Sequence, residues 1–295
     1  MNKIKTVSII GMGLIGGSLG MALKKNRTVK KVIGVGRHPE KLKQALRLKA
    51  ADEVTTDFIA GVKEADLVVV CTPVGLIAPT VKRILPGLKS GCIVTDVGSV
   101  KAPIAKEVAK ILAREKIYFI GGHPMAGSER SGISHARPQL FRDAVWILTP
   151  SGKTPAPVLA ELQRVVKSTG ARVLKLDPGR HDRIVAATSH LPHLLAAALV
   201  ILVGQREQKE KNTAHLVAGS FRDMTRIASS NPEIWQDIFS MNRQEIMATM
   251  TEFHEVVSKI LQSLRTNQKQ DLLKMFGRAK KTRDRMFTKD AAAKN

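Results

Sequence analysis

The sequence predicts an α/β fold, a doubly wound and mostly parallel sheet followed by an all-helical second domain, and three observations predict it. Short apolar runs alternate with helical stretches as far as Leu176, the rhythm of βαβ units. Residues 67–71 read Leu-Val-Val-Val-Cys, a continuous apolar run suited to a strand covered on both faces of a parallel sheet. Beyond His181 the texture changes to long amphipathic patterns, with few strand-like runs before Phe287.

The elements follow in order. Strands are expected at 6–10, 32–35, 67–71, 93–96, 118–120 and 144–149, with helices at 15–25, 39–49, 76–85 and 100–114 between them. The third of those helices ends before Pro86-Gly87, a helix-stopping pair. Residues 150–157 are polar and Pro-rich, and a helix at 158–169 and a strand at 172–176 come after them. Asp177-Pro178-Gly179 is a turn signal and sets the domain boundary, giving domains 1–177 and 178–295. Residues 194–202 are almost continuously apolar, which predicts a helix buried on all sides. A helical domain of that kind is small alone, so a homodimer through it is expected.

A chain of 295 residues can hold two such domains, and a 43% hydrophobic content is ordinary for a globular protein. No apolar run approaches the roughly 20 residues of a bilayer crossing, and no signal peptide is read at the N-terminus, so neither membrane nor secretion is expected. The two cysteines, Cys71 and Cys92, fall in or beside expected buried strands and read as free thiols, which suits the cytoplasm. Lysine plus arginine is 48 against 25 acidic residues, a net charge of +23. The cations are spread along the chain, no zinc-finger spacing is present, and aromatics are only 4%, too few for base-stacking surfaces. Nucleic acid is therefore not the expected partner; the charge better suits anionic small molecules.

Gly11-Met12-Gly13-Leu14-Ile15-Gly16 follows a strand and opens a helix, the context that gives a G-x-G-x-x-G motif its meaning. Gly11 permits the tight turn, Gly13 the approach of a pyrophosphate, and Gly16 close packing of helix on strand, which makes the sheet Rossmann-type. Leu14 and Ile15, between Gly13 and Gly16 where the helix opens, are expected against the cofactor as well. An NAD site usually carries Asp or Glu at the end of the second strand. This chain reads Val35-Gly36-Arg37-His38 there. Arg37 suits stacking on adenine and pairing with a 2′-phosphate, so NADP is expected over NAD; the alternative is one more surface arginine. Cys71-Thr72-Pro73 follows the next long strand and is expected along the cofactor.

Five segments occur in one order: residues 11–19, Asp96-Val97-Gly98-Ser99-Val100-Lys101, Gly122-His123-Pro124-Met125-Ala126-Gly127, Ser189-His190-Leu191-Pro192-His193, and Phe221-Arg222-Asp223-Met224-Thr225-Arg226-Ile227-Ala228. Together they resemble the prephenate dehydrogenase (TyrA) family over nearly the whole chain. The resemblance implies oxidative decarboxylation of prephenate, or of arogenate, in tyrosine biosynthesis. It implies that His123, on a glycine-rich loop, takes the proton of the ring hydroxyl, as an imidazole near its reference pKa of about 6.5 can. Ser99 either bonds that hydroxyl or orients His123, or it caps the helix that follows. Arg226 is implied as a bidentate clamp on a substrate carboxylate, meeting His123 across one cavity. His193 is implied to line the substrate pocket; His190 is read equally as pocket or buried structural histidine. Glu129, Asp223 and Trp235 match positions that shape or gate the pocket, and Trp235 is read equally as core. No third ligand accompanies His190 and His193, so no metal is expected.

The missing acidic residue after Val35 resembles NADP-using, arogenate-preferring members, whereas His190-Leu191-Pro192-His193 resembles prephenate users; prephenate is placed first. Two rivals share the architecture. A β-hydroxyacid dehydrogenase needs a catalytic lysine on a helix of the second domain, and no pattern marks one. A non-enzymatic NAD(P)-sensing regulator explains fold and charge, but not His123, Ser99 and Arg226 together.

Overall fold

The computed structural model describes residues 3–128 and 130–292. Its strands are β1 Thr6–Ile10, β2 Lys31–Val35, β3 Glu53–Thr55, β4 Leu67–Val70, β5 Ile93–Asp96, β6 Tyr118–Pro124, β7 Val145–Thr149 and β8 Arg172–Lys175. Its helices are α1 Leu14–Lys25, α2 Pro39–Arg47, α3 Ile77–Ile84, α4 Ala102–Ile111, α5 Ala156–Lys167, α6 Pro178–Val185, α7 Leu191–Glu207, α8 Gly219–Thr225, α9 Pro232–Met241, α10 Arg243–Arg265 and α11 Lys269–Ala292.

The strands form one sheet in the order β3-β2-β1-β4-β5-β6-β7-β8. Every pair is parallel except β6 and β7. The chain passes from β1 to β2 on one side and later to β4 on the other, so a crevice opens at the carboxyl ends of β1 and β4. All residues of β4 and β5 are buried, as their unbroken apolar or short polar sequences require. Apolar side chains cover both faces: Leu19, Leu23, Phe141 and Trp146 pack on one, Ile77, Val81, Ile84 and Ile104 on the other. Trp235 and Phe239 of α9 lie against the second cluster and tie the helical part to the sheet.

Four expectations need correction. β6 does not stop at Ile120 but runs on through Gly121 and Gly122, pairing with β7 so that His123 faces Ile147 in register. His123 therefore sits on a strand, not a loop; glycines disfavour a strand only until a neighbour supplies the ladder bonds. β3 was not expected, because its three residues are an exposed edge without alternation. The helix after Ser99 starts at Ala102, with Lys101 at its N-cap and no side-chain cap from its own segment, so Ser99 is not that cap. Finally, α7 is not buried all round: Val200, Ile201 and Leu202 are 42, 60 and 51% exposed. With α6 and the π-turn between them it forms a continuous helical stretch, Pro178–Glu207, long and apolar enough by length and composition to cross a membrane. Single polar residues among the apolar ones hid that stretch from a search for unbroken runs.

The described chain groups into two compact units, one ending at Ile246 and one starting at Met247. Within the second unit Leu264, Leu273, Phe276 and Phe287 are more than half exposed.

Candidate active site

The carboxyl ends of β1, β4, β5 and β6 open onto a cavity of about 430 Å³ in the first unit. Gly13, Leu14 and Ile15 line it from the first βα turn, and Cys71, Thr72 and Pro73 from the turn after β4. Gly98 and Ser99 line it after β5, His123 and Pro124 on β6, Ser230 and Asn231 just before α9, and Trp235 on α9. One further cation, Arg130, lines it as well; it had not been singled out in the sequence.

The glycines of the first turn have separate reasons. Gly11 has φ +99°, and a Cβ there would stand 2.6 Å from the carbonyl oxygen of Cys71. A side chain on Gly16 would strike the carbonyl of Gly11. Gly13 instead faces open space, with nothing within 4 Å of where its Cβ would be. α1 begins there with no side-chain cap and no acidic residue in its first turn, leaving its amides for an anion. Thr72 adds a buried hydroxyl that finds no partner among the described residues. An open glycine, an uncapped helix start and an orphaned hydroxyl on one wall fit the phosphates of a dinucleotide. Arg37 is exposed beyond β2 and does not line the cavity.

A buried polar network holds His123. Asp96, at the end of β5, accepts from the amides of Gly98 at 2.9 Å and Gly122 at 3.1 Å and pairs with the Lys101 ammonium. Lys101 Nζ also donates to the Gly122 carbonyl at 2.8 Å, so one ion pair grips the residue before His123 from both sides. Behind the imidazole, His123 Nδ1 lies 2.8 Å from His181 Nε2, and His181 Nδ1 lies 2.7 Å from Asp182 Oδ1. Asp182 in turn accepts from the backbone amides of Lys101 and Ala102, each at 2.8 Å, and so supplies the cap of α4 from across the fold.

One arrangement of ring protons satisfies all of these contacts with both rings uncharged. Asp182 already accepts two amide protons and takes a third from His181 Nδ1. In that arrangement, His181 Nε2 accepts from His123 Nδ1. His123 Nε2 is left with its lone pair for the cavity. The His123 pKa is pushed well below the ordinary imidazole value, first by burial and then by His181, Lys101 and His190. The free base is thus the resting form at neutral pH. His181 and Asp182 escaped the sequence reading because they lie 58 residues or more from His123 and carry no motif; two adjacent titratable residues on a buried helical face were the only signal.

His190 and His193 flank the indole of Trp235 rather than lining the cavity. His193 stacks on it with ring centres 3.5 Å apart, and His190 meets it edge-on at 6.2 Å. His190 Nδ1 bonds Asn242 at 3.0 Å, and burial is the first cause lowering its pKa to about 4. Trp235 is thus both packed against the core and part of the wall. Asp223 and Arg226 are exposed, on α8 and the turn after it, and do not line the cavity, so the meeting of Arg226 with His123 across it is not seen. Glu129 lies outside the described residues. Among the described residues no cluster of three metal-ligating side chains occurs.

The comparisons with known proteins agree along the chain. The family model described as "Prephenate dehydrogenase, nucleotide-binding domain" matches residues 19–175, and that described as "Prephenate dehydrogenase, dimerization domain" matches residues 177–278. The prephenate dehydrogenase of Bacillus subtilis is 37% identical over 96% of this chain and 77% of the relative. The cyclohexadienyl dehydrogenase of Zymomonas mobilis is 34% identical over 96% of both. Among solved structures, prephenate dehydrogenase from A. aeolicus, in complex with hydroxyphenyl propionate and NAD+, superposes with a TM-score of 0.90 at 30% identity, covering 97% of this chain and 99% of that one. Synechocystis arogenate dehydrogenase superposes with a TM-score of 0.82 at 30% identity, covering 95% of this chain and 99% of that one.

Proposed function

This chain belongs to the prephenate dehydrogenase family, and on that premise we propose that the cavity beside His123 oxidises and decarboxylates prephenate to 4-hydroxyphenylpyruvate. The observation that carries the reading is that His123, engaged at Nδ1 by His181, lines the same cavity as the glycine turn of α1.

When bound, the nicotinamide of NAD(P) supplies the acceptor for the hydride leaving ring C4. Gly11, Gly13, Leu14, Ile15, Gly16, Thr72 and Pro73 are the residues to hold that cofactor. His123 Nε2 takes the proton of the C4 hydroxyl, and Ser99, on the same wall, keeps that oxygen in place. The bond from C1 to its carboxylate then breaks, its electron pair enters the ring, and CO2 leaves. His123 returns the proton to the C4 oxygen of the new phenol, so the net reaction releases none. Aromatisation drives the step, and the side chains chiefly hold the reacting groups in register.

The substrate is a dianion. Among the described lining residues there is a cation, Arg130, and no carboxylate. That lining suits the keto acid better than the ammonium group of arogenate, which remains the second reading. Arg226 is the further candidate for a carboxylate contact, four residues ahead of the lining Ser230. Each truncation, Arg130→Ala and Arg226→Ala, is expected to raise KM for prephenate about tenfold or more with kcat retained, as a lost charge-assisted bond does. An unchanged KM removes that residue from the site.

NADP is preferred over NAD in this reading, because the turn after β2 carries Arg37 and no acidic residue to meet the ribose. Purified protein supplied with prephenate should form reduced cofactor and CO2 together, with the higher kcat/KM for NADP, and Arg37→Ala should erode that preference. No turnover with either cofactor and either substrate would overturn the reading. The helical region from residue 178 is read as the substrate and dimerisation domain. A second copy covers the exposed Val200, Ile201 and Leu202 of α7, and a solution mass of one chain would exclude it. Cys71 and Cys92 are free thiols, the latter pushed up to about 12, first by burial, which suits a reducing cytoplasm.

A further inference from the structure

We propose that His181 and Asp182 form a proton store behind His123: as His123 Nε2 takes the substrate proton, His123 Nδ1 passes its own proton to His181 Nε2, and both transfers reverse when the phenol forms. This rests on the reading of His123 as the base.

The balance is simple. One proton enters at His123 Nε2 and one leaves from Nδ1 along the 2.8 Å contact to His181 Nε2. His123 ends neutral in its other tautomer, and His181 becomes an imidazolium against the Asp182 carboxylate 2.7 Å away. No bond to carbon changes, and no oxidant is needed.

The surroundings favour the charge on His181. Lys101, ion-paired to Asp96, bears on His123, and Asp96 is engaged by that pair and by two amides; His190 is coupled to both histidines and favours neither. His181 itself is wholly buried and has the Asp182 carboxylate as its direct partner. A positive charge is therefore better placed beside Asp182 than beside the Lys101 ammonium. Asp182 does not move to meet it, being anchored by the amides of Lys101 and Ala102 at the start of α4 and, through its own carbonyl, by Asn242 at 3.0 Å. His181 is thus a positioning residue that also holds charge, with no contact to substrate required.

His181→Gln separates the two roles. The amide oxygen of glutamine can accept from His123 Nδ1 and keep the tautomer, but it cannot be protonated at working pH. Relative to wild type, H181Q is expected to lose about 10- to 100-fold in kcat, within the range of general acid–base effects, with KM and cofactor affinity unchanged. In the protein free of substrate, 15N NMR of the histidines, assigned with the H123N and H181Q variants, should show Nδ1-protonated His123. On acidification the first proton taken up by the pair should appear on His181. Wild-type kcat and pH profile in H181Q would overturn the store, and so would a first proton settling on His123. Failure of the base assignment looks different: wild-type turnover would survive His123→Asn, whatever the NMR titration shows.

Discussion

Replacing His123 by asparagine is expected to lower kcat by about 10²–10⁴ while leaving dinucleotide affinity nearly intact, because it removes the base and none of the residues of the glycine turn. Asparagine retains a polar side chain near Nδ1 and so spares the contact to His181, which isolates the loss of Nε2. The pH dependence gives a second readout. Burial, His181, Lys101 and His190 lower the His123 pKa, so His123 itself becomes a cation only further into acid than an ordinary imidazole. The acid limb of kcat/KM, which reports the free enzyme, belongs to the coupled His123–His181 pair, since the first proton it takes up removes the Nε2 lone pair wherever it settles, and should disappear in the variant. An acid limb that survives in His123→Asn would mean that another group carries the proton.

The second large effect belongs to stability. Lys101 is 1% exposed and Asp96 is fully buried, so Lys101→Met leaves a carboxylate in the sheet without its counter-ion. Burial pushes the Lys101 pKa down and Asp96 pulls against it, so the ammonium depends on that partner. Losing one member of such a pair costs about 3–5 kcal/mol, far more than the pair contributes over an apolar substitute. Chemical denaturation of Lys101→Met should show a loss of that order. Adding Asp96→Asn should recover part of it, since the amide oxygen still accepts from Gly98 or Gly122 while the charge is gone. A single variant as stable as the parent would show that solvent reaches Asp96.

Much of the frame was legible in sequence for local reasons. β1, β4 and β5 are runs whose apolar character is set by burial on both faces, and the glycine turn announces itself because φ +99° at Gly11 and the crowding at Gly16 admit little else. His123 and Ser99 were legible as residues, through motifs, but their settings were not. β6 continues past two glycines only because β7 comes back against it, and the cap of α4 is a carboxylate 80 residues away from Ala102. His181, Asp182 and Asn242 belong to the same class: ordinary polar residues in sequence, they acquire meaning from contacts between segments distant in the chain. The exposure of Val200, Ile201 and Leu202 was misread for the opposite reason, since apolar character alone cannot say whether the cover comes from the same chain.

The anchoring of Asp182 on the first turn of α4 bears on modularity. The family models divide the chain between residues 175 and 177, yet the carboxylate that caps the start of a helix of the first part, and the imidazole that backs its His123, both come from the second. Fragments cut at that joint would each carry half of one buried polar network. A hybrid that took its second half from another protein would lose the cap of α4 and the imidazole behind His123 unless the donor supplied its own His-Asp pair.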